Sequence, residues 1–468
     1  MNPLSARLLL FALSGLAALL AAADTPPKPN IVFILADDLG YGDLGCYGQR
    51  KFQTPKIDRL AAEGLRFTQH YSGSTVCAPS RCVLMTGLHT GHTSVRTNGS
   101  MKPEGQLPMP ADTVTLPKLL KSAGYATGIF GKWGLGGPGS GSEPLDQGFD
   151  VFFGFNCQSV AHSYYPKYLW QNRRKVELDG QTYAHDPIVQ QALAFIRENN
   201  GRPFFCFMPV TIPHAAMHVP ESYMAPFRKK FPEFEDRIGT YAGPDVRNPI
   251  AAFAGMVTKL DEDVGRVLDL LKELGLDEKT LVLFTSDNGP HKEGGHDPLF
   301  FDSNGPLRGL KRDLYEGGIR VPLLARWPGR IAPGSTTDHV SAFWDMLPTF
   351  CELAGTAPPA GIDGLSMVPT LLGQGDQKRH EYLYWEFHEQ GGKRALRMDD
   401  WKAVQNEVRK NPNGPIELYD LKSDLGEERN RASEHPELVA RARKLFAEAH
   451  RDGEGFRWDA PVEKPASR

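Results

Sequence analysis

Cysteine is scarce in this sequence, neither sign of charge dominates, and only one long apolar run is present. The six cysteines among 468 residues are Cys46, Cys77, Cys82, Cys157, Cys206 and Cys351. Their wide spacing gives no disulfide framework and no paired Cys-x-x-Cys zinc pattern. Cys77 and Cys82 are five residues apart near an expected helix, where such positions face away from one another, so no bridge is expected between them. Lysine plus arginine total 53 against 56 aspartate plus glutamate, a formal charge of −3. That balance argues against nucleic acid as a partner, which calls for a strongly basic domain, but leaves room for a local basic pocket. Internal repeats and long low-complexity segments are absent. With 40% apolar and 23% charged residues the composition is globular, which excludes wholesale disorder and collagen-like repeats. The length suits two or three domains, or one large α/β domain with an appendage.

The long apolar run, Leu8 to Ala23, follows Arg7 and ends in Ala21-Ala22-Ala23, a small-x-small cleavage pattern. Asp24-Thr25-Pro26-Pro27 then breaks any helix. Residues 1–23 read as a secretory signal peptide. A membrane anchor is the alternative, but a span wants roughly 20 apolar residues. The expected product is exported, periplasmic or secreted, with no stable membrane span after cleavage.

Beyond the leader, buried strands end in polar residues. Ile31–Ala36 is a continuous apolar run that ends at Asp37-Asp38. Ala126–Gly131 ends at Lys132, Phe204–Met208 leads by a loop to His214, and Leu281–Thr285 ends at Ser286-Asp287-Asn288. Uninterrupted apolar runs suit central strands covered on both faces. Helices separate them: Leu116–Ala123, with Thr115 as the expected cap, and an apolar stripe from Val257 to Leu274 that Gly275 ends. Strand–helix alternation predicts a large, mostly parallel sheet flanked by helices, and such sheets collect ligands at the carboxyl ends of their strands. Near Leu372 the texture changes to short strands (382–387, 395–397, 401–404, 417–421) and a last helix over about 436–450. The expected division is a catalytic domain over 24–372 and a small antiparallel-sheet-plus-helix subdomain over 373–468.

Two adjacent carboxylates at a strand end, Asp37-Asp38, repel one another and call for a cation or strong donors. Asp287-Asn288 repeats the arrangement. Each pair alone is read as a turn or helix cap; together they form an oxygen-only ligand set suited to Ca²⁺ or Mg²⁺ rather than Zn²⁺. Cys77-Ala78-Pro79-Ser80-Arg81 places a cysteine at the start of a helix, where free N–H groups favour an anion, with Arg81 one turn on.

Asp37-Asp38, Cys77–Arg81, Thr86-Gly87, Gly131-Lys132-Trp133, Asp287-Asn288-Gly289 and the stretch Gly305–Gly318 resemble the type I sulfatases. These are formylglycine-dependent enzymes on the alkaline-phosphatase-like fold, and the resemblance runs from about Asn30 to Asp424. It implies that Cys77 is oxidised by a maturation enzyme to formylglycine, whose hydrate attacks sulfur with one hydroxyl. The other hydroxyl then loses its proton, and C–O cleavage expels sulfate. It implies one Ca²⁺ held by Asp37, Asp38, Asp287, Asn288 and the residue-77 oxygen. Arg81 matches the arginine that supports the hydrate, Lys132 and Lys311 the lysines that hold sulfate, and His214 the histidine that protonates the leaving alcohol or binds sulfate. His218 is a weaker candidate, placed at the entrance. Many members have Gly-Lys-Trp-His where this chain has Gly131-Lys132-Trp133-Gly134. His162 and His291 are the candidates for the missing histidine's role or for substrate contacts. Tyr164, Tyr165, Tyr168 and Trp170 either stack on sugar or pack beneath a loop.

The implied substrate is a sulfated carbohydrate, of the galactose or N-acetylgalactosamine-sulfate type, or an aryl sulfate. Two competing readings are a phosphomonoesterase or phosphonate hydrolase on the same fold, and a non-catalytic sulfated-glycan-binding relative.

Overall fold

The structure is a computed structural model of the chain that describes residues 28–453 and 455–458; the expected signal peptide lies outside them. Among the described residues no helix is long and apolar enough to cross a membrane.

Strands β1 (Asn30–Ala36), β2 (Leu65–Tyr71), β3 (Ala126–Lys132), β4 (Val151–Phe155), β5 (Tyr168–Gln171), β6 (Arg174–Glu177) and β7 (Phe204–Pro209) come first. A two-stranded ribbon, β8 (Ile238–Gly239) and β9 (Val246–Arg247), precedes β10 (Thr280–Ser286), β11 (Arg320–Arg326), β12 (Ser335–Thr337) and β13 (Ser341–Ala342). The main sheet runs β12-β2-β11-β10-β1-β7-β3-β4-β5-β6, with β13 also on β2. Its centre, β10-β1-β7-β3-β4, is parallel throughout, and the pairs β10–β11, β11–β2, β4–β5 and β5–β6 are antiparallel.

The continuous apolar runs have a direct cause. Ile31, Phe33 and Leu35 of β1 enter one core with Phe205, Phe207, Leu281 and Leu283. Val32, Ile34 and Ala36 enter the opposite core with Cys206, Met208, Val282 and Phe284. Successive strand residues point to opposite faces, so a strand covered on both sides reads as apolar at every position. Helices Cys77–Thr86 and Met346–Leu353 cover the first face; His185–Glu198 and Pro249–Glu273 cover the second. Phe33 stacks on Phe207 at 5.7 Å and meets Phe350 edge-on at 5.9 Å, and burying such a ring contributes about 1.5–3 kcal/mol.

Two local expectations change. Thr115 precedes the helix Leu116–Ser122 but does not cap it; its hydroxyl donates to the Gln147 carbonyl at 2.7 Å. The helix expected from Val257 starts at Pro249, because Asn248 caps it by accepting from Ala251 N at 2.9 Å. Its first turns are buried all round and so show no stripe in the sequence. All six cysteines are free.

Strands β14 (Leu383–Phe387), β15 (Lys393–Met398), β16 (Trp401–Gln405) and β17 (Glu417–Asp420) form an antiparallel sheet in chain order. Tyr384, Leu396 and Leu418 pack on the helix Pro436–Glu448 through Leu445 and Phe446. Leu383, Trp385, Phe387, Ala395 and Val404 enter the first core of the main sheet instead. A wholly buried ion pair, Lys402 Nζ to Glu316 Oε1 at 2.8 Å, joins β16 to the helical turn Glu316–Ile319 that leads into β11. The small sheet is thereby fixed to the large one, and its β14–β15 hairpin reaches the carboxyl ends of the parallel strands.

Candidate active site

The parallel strands place their terminal polar residues together. Asp37 and Asp38 leave β1, Asp287 and Asn288 leave β10, and Lys132 ends β3. The loop after β7 carries His214. All six are at most 3% exposed. Asp38 has a left-handed backbone, φ 63°, a conformation that aspartate tolerates better than most residues. It is held there by Asp287 Oδ1, which accepts from Asp38 N at 3.1 Å.

Cys77 is the first residue of its helix, and Pro79 sits in the first turn, where a missing N–H costs nothing. Ser80 anchors this helix by donating to the Asp287 carbonyl at 2.6 Å. Arg81 anchors it again: Nη1 donates to the Lys132 carbonyl at 2.6 Å and Nη2 to Asp287 Oδ2 at 2.8 Å, with Asp37 Oδ2 at 3.6 Å. The Cys77 thiol thus lies 3.5 Å from Asp37 Oδ1. Lys132 Nζ meets Asp37 Oδ2 at 2.7 Å. Lys311 Nζ meets Asp38 Oδ2 at 2.7 Å and His214 Nε2 at 3.1 Å. Asn288 Nδ2 donates to Asp38 Oδ1 at 2.6 Å.

The charges balance: Asp37, Asp38 and Asp287 face Arg81, Lys132 and Lys311. Burial pushes each carboxyl up. Lys132 and Arg81 overcome it at Asp37, which is held well below the usual range, and Lys311 does so at Asp38, held at about 2. At Asp287 burial and the Asp37 and Asp38 charges outweigh Arg81 and Lys132, and it rises to about 7. Burial, then the Asp37 charge, push the Cys77 thiol far up, so it stays protonated.

His214 Nδ1 donates to the Ala215 carbonyl. Its Nε2 is therefore the bare nitrogen, and Lys311 donates to it. Burial, then the Lys311 charge, hold His214 neutral. His162 stacks on His214 at 4.9 Å, and burial with the two lysines lowers it to about 3. Both nitrogens of His291 are engaged: Nε2 with the Pro213 carbonyl at 3.3 Å, and Nδ1 accepting from Glu293 N at 3.0 Å. His218 is farther out, Nε2 donating to the Pro244 carbonyl at 2.9 Å.

Whether a cation fits can be read from the donors. Among the described residues Asn288 Oδ1 is buried with no hydrogen-bond partner, although buried acceptors are almost always paired. It lies on the residue whose other amide atom touches Asp38. Asp37, Asp38, Cys77 and His214 also bring one ligand atom each within 4.8 Å of one another. Three carboxylates and an orphaned amide oxygen fit a hard divalent cation. Arg81 Nε and both amide atoms of Asn156, at the end of β4, are likewise buried and unpartnered.

Some residues here carried no motif. Gly134 has φ 76°, and a Cβ there would lie 3.4 Å from Gln158 Nε2, so Gln158 fills the space beside it. Gln158 Nε2 donates to Asn98 Oδ1 at 3.3 Å, and the same oxygen accepts from Ala78 N at 2.8 Å, satisfying a free N–H of the Cys77 helix. Tyr241, in the loop between β8 and β9, is 37% exposed and lies 5.1 Å from the His162 ring and 5.8 Å from the His214 ring. The aromatic group expected from the sequence packs instead. Tyr164 is 1% exposed and donates to the carbonyls of Thr211 and His214. Tyr168 and Trp170 both donate to Glu104 at 2.7 Å.

Comparison with known proteins agrees with this geometry. A family model described as sulfatase matches residues 29–356, and one described as N-sulphoglucosamine sulphohydrolase, C-terminal, matches 310–451. The chain is 36% identical to rat (Rattus norvegicus) N-acetylgalactosamine-6-sulfatase over 395 residues, covering 78% of this chain and 70% of that one. It is 34% identical to human (Homo sapiens) arylsulfatase A over 471 residues, covering 89% and 86%. Among solved structures, Ps i-CgsB superposes with a TM-score of 0.78 at 28% identity, covering 90% of this chain and 93% of that one. The same protein in complex with k-i-k-neocarrahexaose gives 0.76 at 28% identity over the same shares.

Proposed function

The chain belongs to the sulfatase family and is a sulfuric ester hydrolase; from that premise we propose that it removes sulfate from a sulfated carbohydrate, with residue 77 matured to formylglycine and Ca²⁺ between Asp37, Asp38, Asp287 and Asn288. The carrying observation is the charge balance around Cys77: three buried carboxylates, three buried cations and one orphaned amide oxygen. With all three carboxylates ionised, as a bound cation favours, the set is neutral, and a dication brings the site to a charge of +2. That complements a singly charged sulfate ester together with one negative charge on the attacking oxygen.

The thiol itself is a poor nucleophile here, since burial and Asp37 keep it protonated and the thiolate is the reactive form. This supports maturation at Cys77. Matured in this way, residue 77 would offer one hydroxyl for attack on sulfur and a second whose deprotonation would release sulfate. Bound Ca²⁺ supplies polarisation of a sulfate oxygen. The remaining work falls to side chains of this chain. Arg81, fixed on Asp287 and on the Lys132 carbonyl, orients residue 77 and keeps Nε free to donate. Lys132 and Lys311 place positive charge where the sulfate oxygens and the leaving oxygen gather it. Lys311 is the protonated member of its contact with His214 Nε2; its ammonium can give a proton to the leaving oxygen and become the neutral amine. Tyr241 and His162 form an aromatic wall beside this pair, suited to a sugar face.

The relatives' printed substrates support a galactose or N-acetylgalactosamine-sulfate type of saccharide. The apolar run before Asp24 supports export, and maturation implies a formylglycine-generating partner. The test is a rate comparison on matched 4-nitrophenyl sulfate and 4-nitrophenyl phosphate, with Ca²⁺ and after chelation. Faster sulfate turnover that chelation abolishes supports the reading. Faster phosphate turnover, or no turnover by protein carrying the aldehyde, overturns it.

A further inference from the structure

Next to this site lies a second cavity of about 180 Å³, between the loop after β10 and the β14–β15 hairpin. Lys311 and His291 line it too, so it opens beside the place where the sulfate must sit. Its other polar walls are Lys292, Arg312, Asp313 and Gln390. Whole-ligand pockets run to roughly 300–1,000 Å³, so this space holds one substituent rather than a sugar ring.

Most of its charges are already paired. Arg312 Nη1 meets Glu293 Oε1 at 2.8 Å, and Lys393 Nζ meets Asp313 Oδ1 at 3.0 Å. Lys311 is spent on Asp38. Lys292 is exposed and has no ion pair or hydrogen bond among the described residues. The Gln390 carboxamide accepts from Lys393 through Oε1 at 3.5 Å, while its Nε2 has no partner among the described residues. The cavity therefore keeps one uncompensated cation and one unused donor. The segment that carries Gln390 is tied to the helix of residue 77. Glu389 Oε1, next to Gln390, accepts from Asn98 N at 2.8 Å, and the Asn98 side chain holds Ala78 N.

We propose that this cavity is a recognition subsite for a second anionic group, a carboxylate or a further sulfate, on the saccharide whose ester is cleaved, with Lys292 and Gln390 as specificity-determining residues. A neutral hydroxyl would leave the Lys292 charge unused, whereas an oxyanion takes both the ammonium and the amide donor in charge-assisted hydrogen bonds. The inference rests on the sulfatase reading of the neighbouring site.

The test is calorimetric titration of the full chain in a Cys77→Ala background, which leaves substrate intact. Three oligosaccharides share one sulfate ester and carry on the adjoining sugar a hydroxyl, a carboxylate or a second sulfate. At least one anionic sugar should bind about tenfold more tightly than the neutral one, the size of one charge-assisted hydrogen bond. The advantage should shrink with added salt. Lys292→Ala should erase it and leave the neutral sugar's affinity unchanged, and Gln390→Ala should reduce it. Whichever anion gains identifies the group recognised. Equal affinity for all three, no measurable binding, or a preference that survives Lys292→Ala overturns the proposal. Because binding needs no turnover, a preference that depends on Lys292, in a chain that carries the aldehyde at residue 77 yet cleaves none of the three, would keep the subsite and overturn the proposed mechanism.

Discussion

Replacing Lys311 by Met removes one ammonium and keeps most of the side-chain volume. The lost group sits 2.7 Å from Asp38 Oδ2 and 3.1 Å from His214 Nε2. Two consequences follow from that geometry, and they separate experimentally. First, a buried carboxylate loses its partner, which costs about 3–5 kcal/mol where nothing replaces it. The Asn288 amide at 2.6 Å and a bound cation soften that loss, so the variant should fold, with a lowered denaturant midpoint. Second, the leaving oxygen loses its proton source. Removing one preorganised donor of this kind lowers kcat by about 10²–10³, or roughly 3–4 kcal/mol. The loss must depend on the leaving group. A nitrophenolate departs without a proton, so Lys311→Met should cost it no more than about tenfold, whereas a sugar alkoxide should suffer the full effect. The assay is kcat/KM across aryl sulfates of decreasing phenol acidity, ending on a sulfated sugar, with wild type and variant in parallel. The slope against leaving-group acidity should steepen in the variant. An equal loss for every leaving group would refute the assignment of the Lys311–His214 pair to proton delivery.

Dialysis against a calcium-selective chelator should lower the unfolding temperature, and Ca²⁺ at a hundredfold excess over its Kd should restore about 2.7 kcal/mol. Asn288→Leu, which removes the orphaned oxygen, should move the restoring concentration upward; an unchanged calorimetric titration would contradict a ligand role. Asp43, buried against Ser303 and Gly40 N, is raised by burial from 3.8 to about 7. A raised carboxyl favours the fold most below about pH 3.8, and that contribution, on the order of 4 kcal/mol, fades as pH rises through 7. Asp43→Asn should therefore flatten denaturant-measured stability between pH 4 and 7, and an undiminished slope would place the titrating group elsewhere. Tyr241→Ala should raise KM for sugar sulfates roughly two- to tenfold, from a ring contact of about 0.5–1.5 kcal/mol, with kcat unchanged; a fall in kcat alone would remove it from the sugar-binding wall.

Much of this was legible in the sequence wherever one residue pattern has one physical outcome. Strands covered on both faces read as apolar runs, and β1, β3, β7 and β10 fall where Ile31, Ala126, Phe204 and Leu281 begin such runs. The polar residues after them had nowhere to go but the strand ends. The antiparallel flank was not readable. β2 mixes buried and half-buried positions in Leu65–Tyr71, with Arg66, Thr68, Gln69 and His70 among them, and β11 carries Pro322, so neither shows the run that marks a central strand. Of the four aromatic residues after His162, Tyr164 is buried and Tyr168 and Trp170 donate to Glu104, the packing role rather than the stacking one of the two that the sequence offered. Tyr241, which does reach the histidines, stands alone between glycines in a short ribbon loop. Asn98 and Gln158, beside the helix of residue 77, and Gln390 and Lys292, beside Lys311, come from four separate stretches of chain that only tertiary folding brings together.

The central claim is sulfate-ester hydrolysis by a matured residue 77, and the most direct measurement is the mass of the tryptic peptide Phe67–Arg81 from active protein made in its own host. The account predicts a peptide lighter than its sequence by the thiol-to-aldehyde difference, with the change confined to residue 77. An active preparation whose peptide carries an intact Cys77 thiol would contradict it.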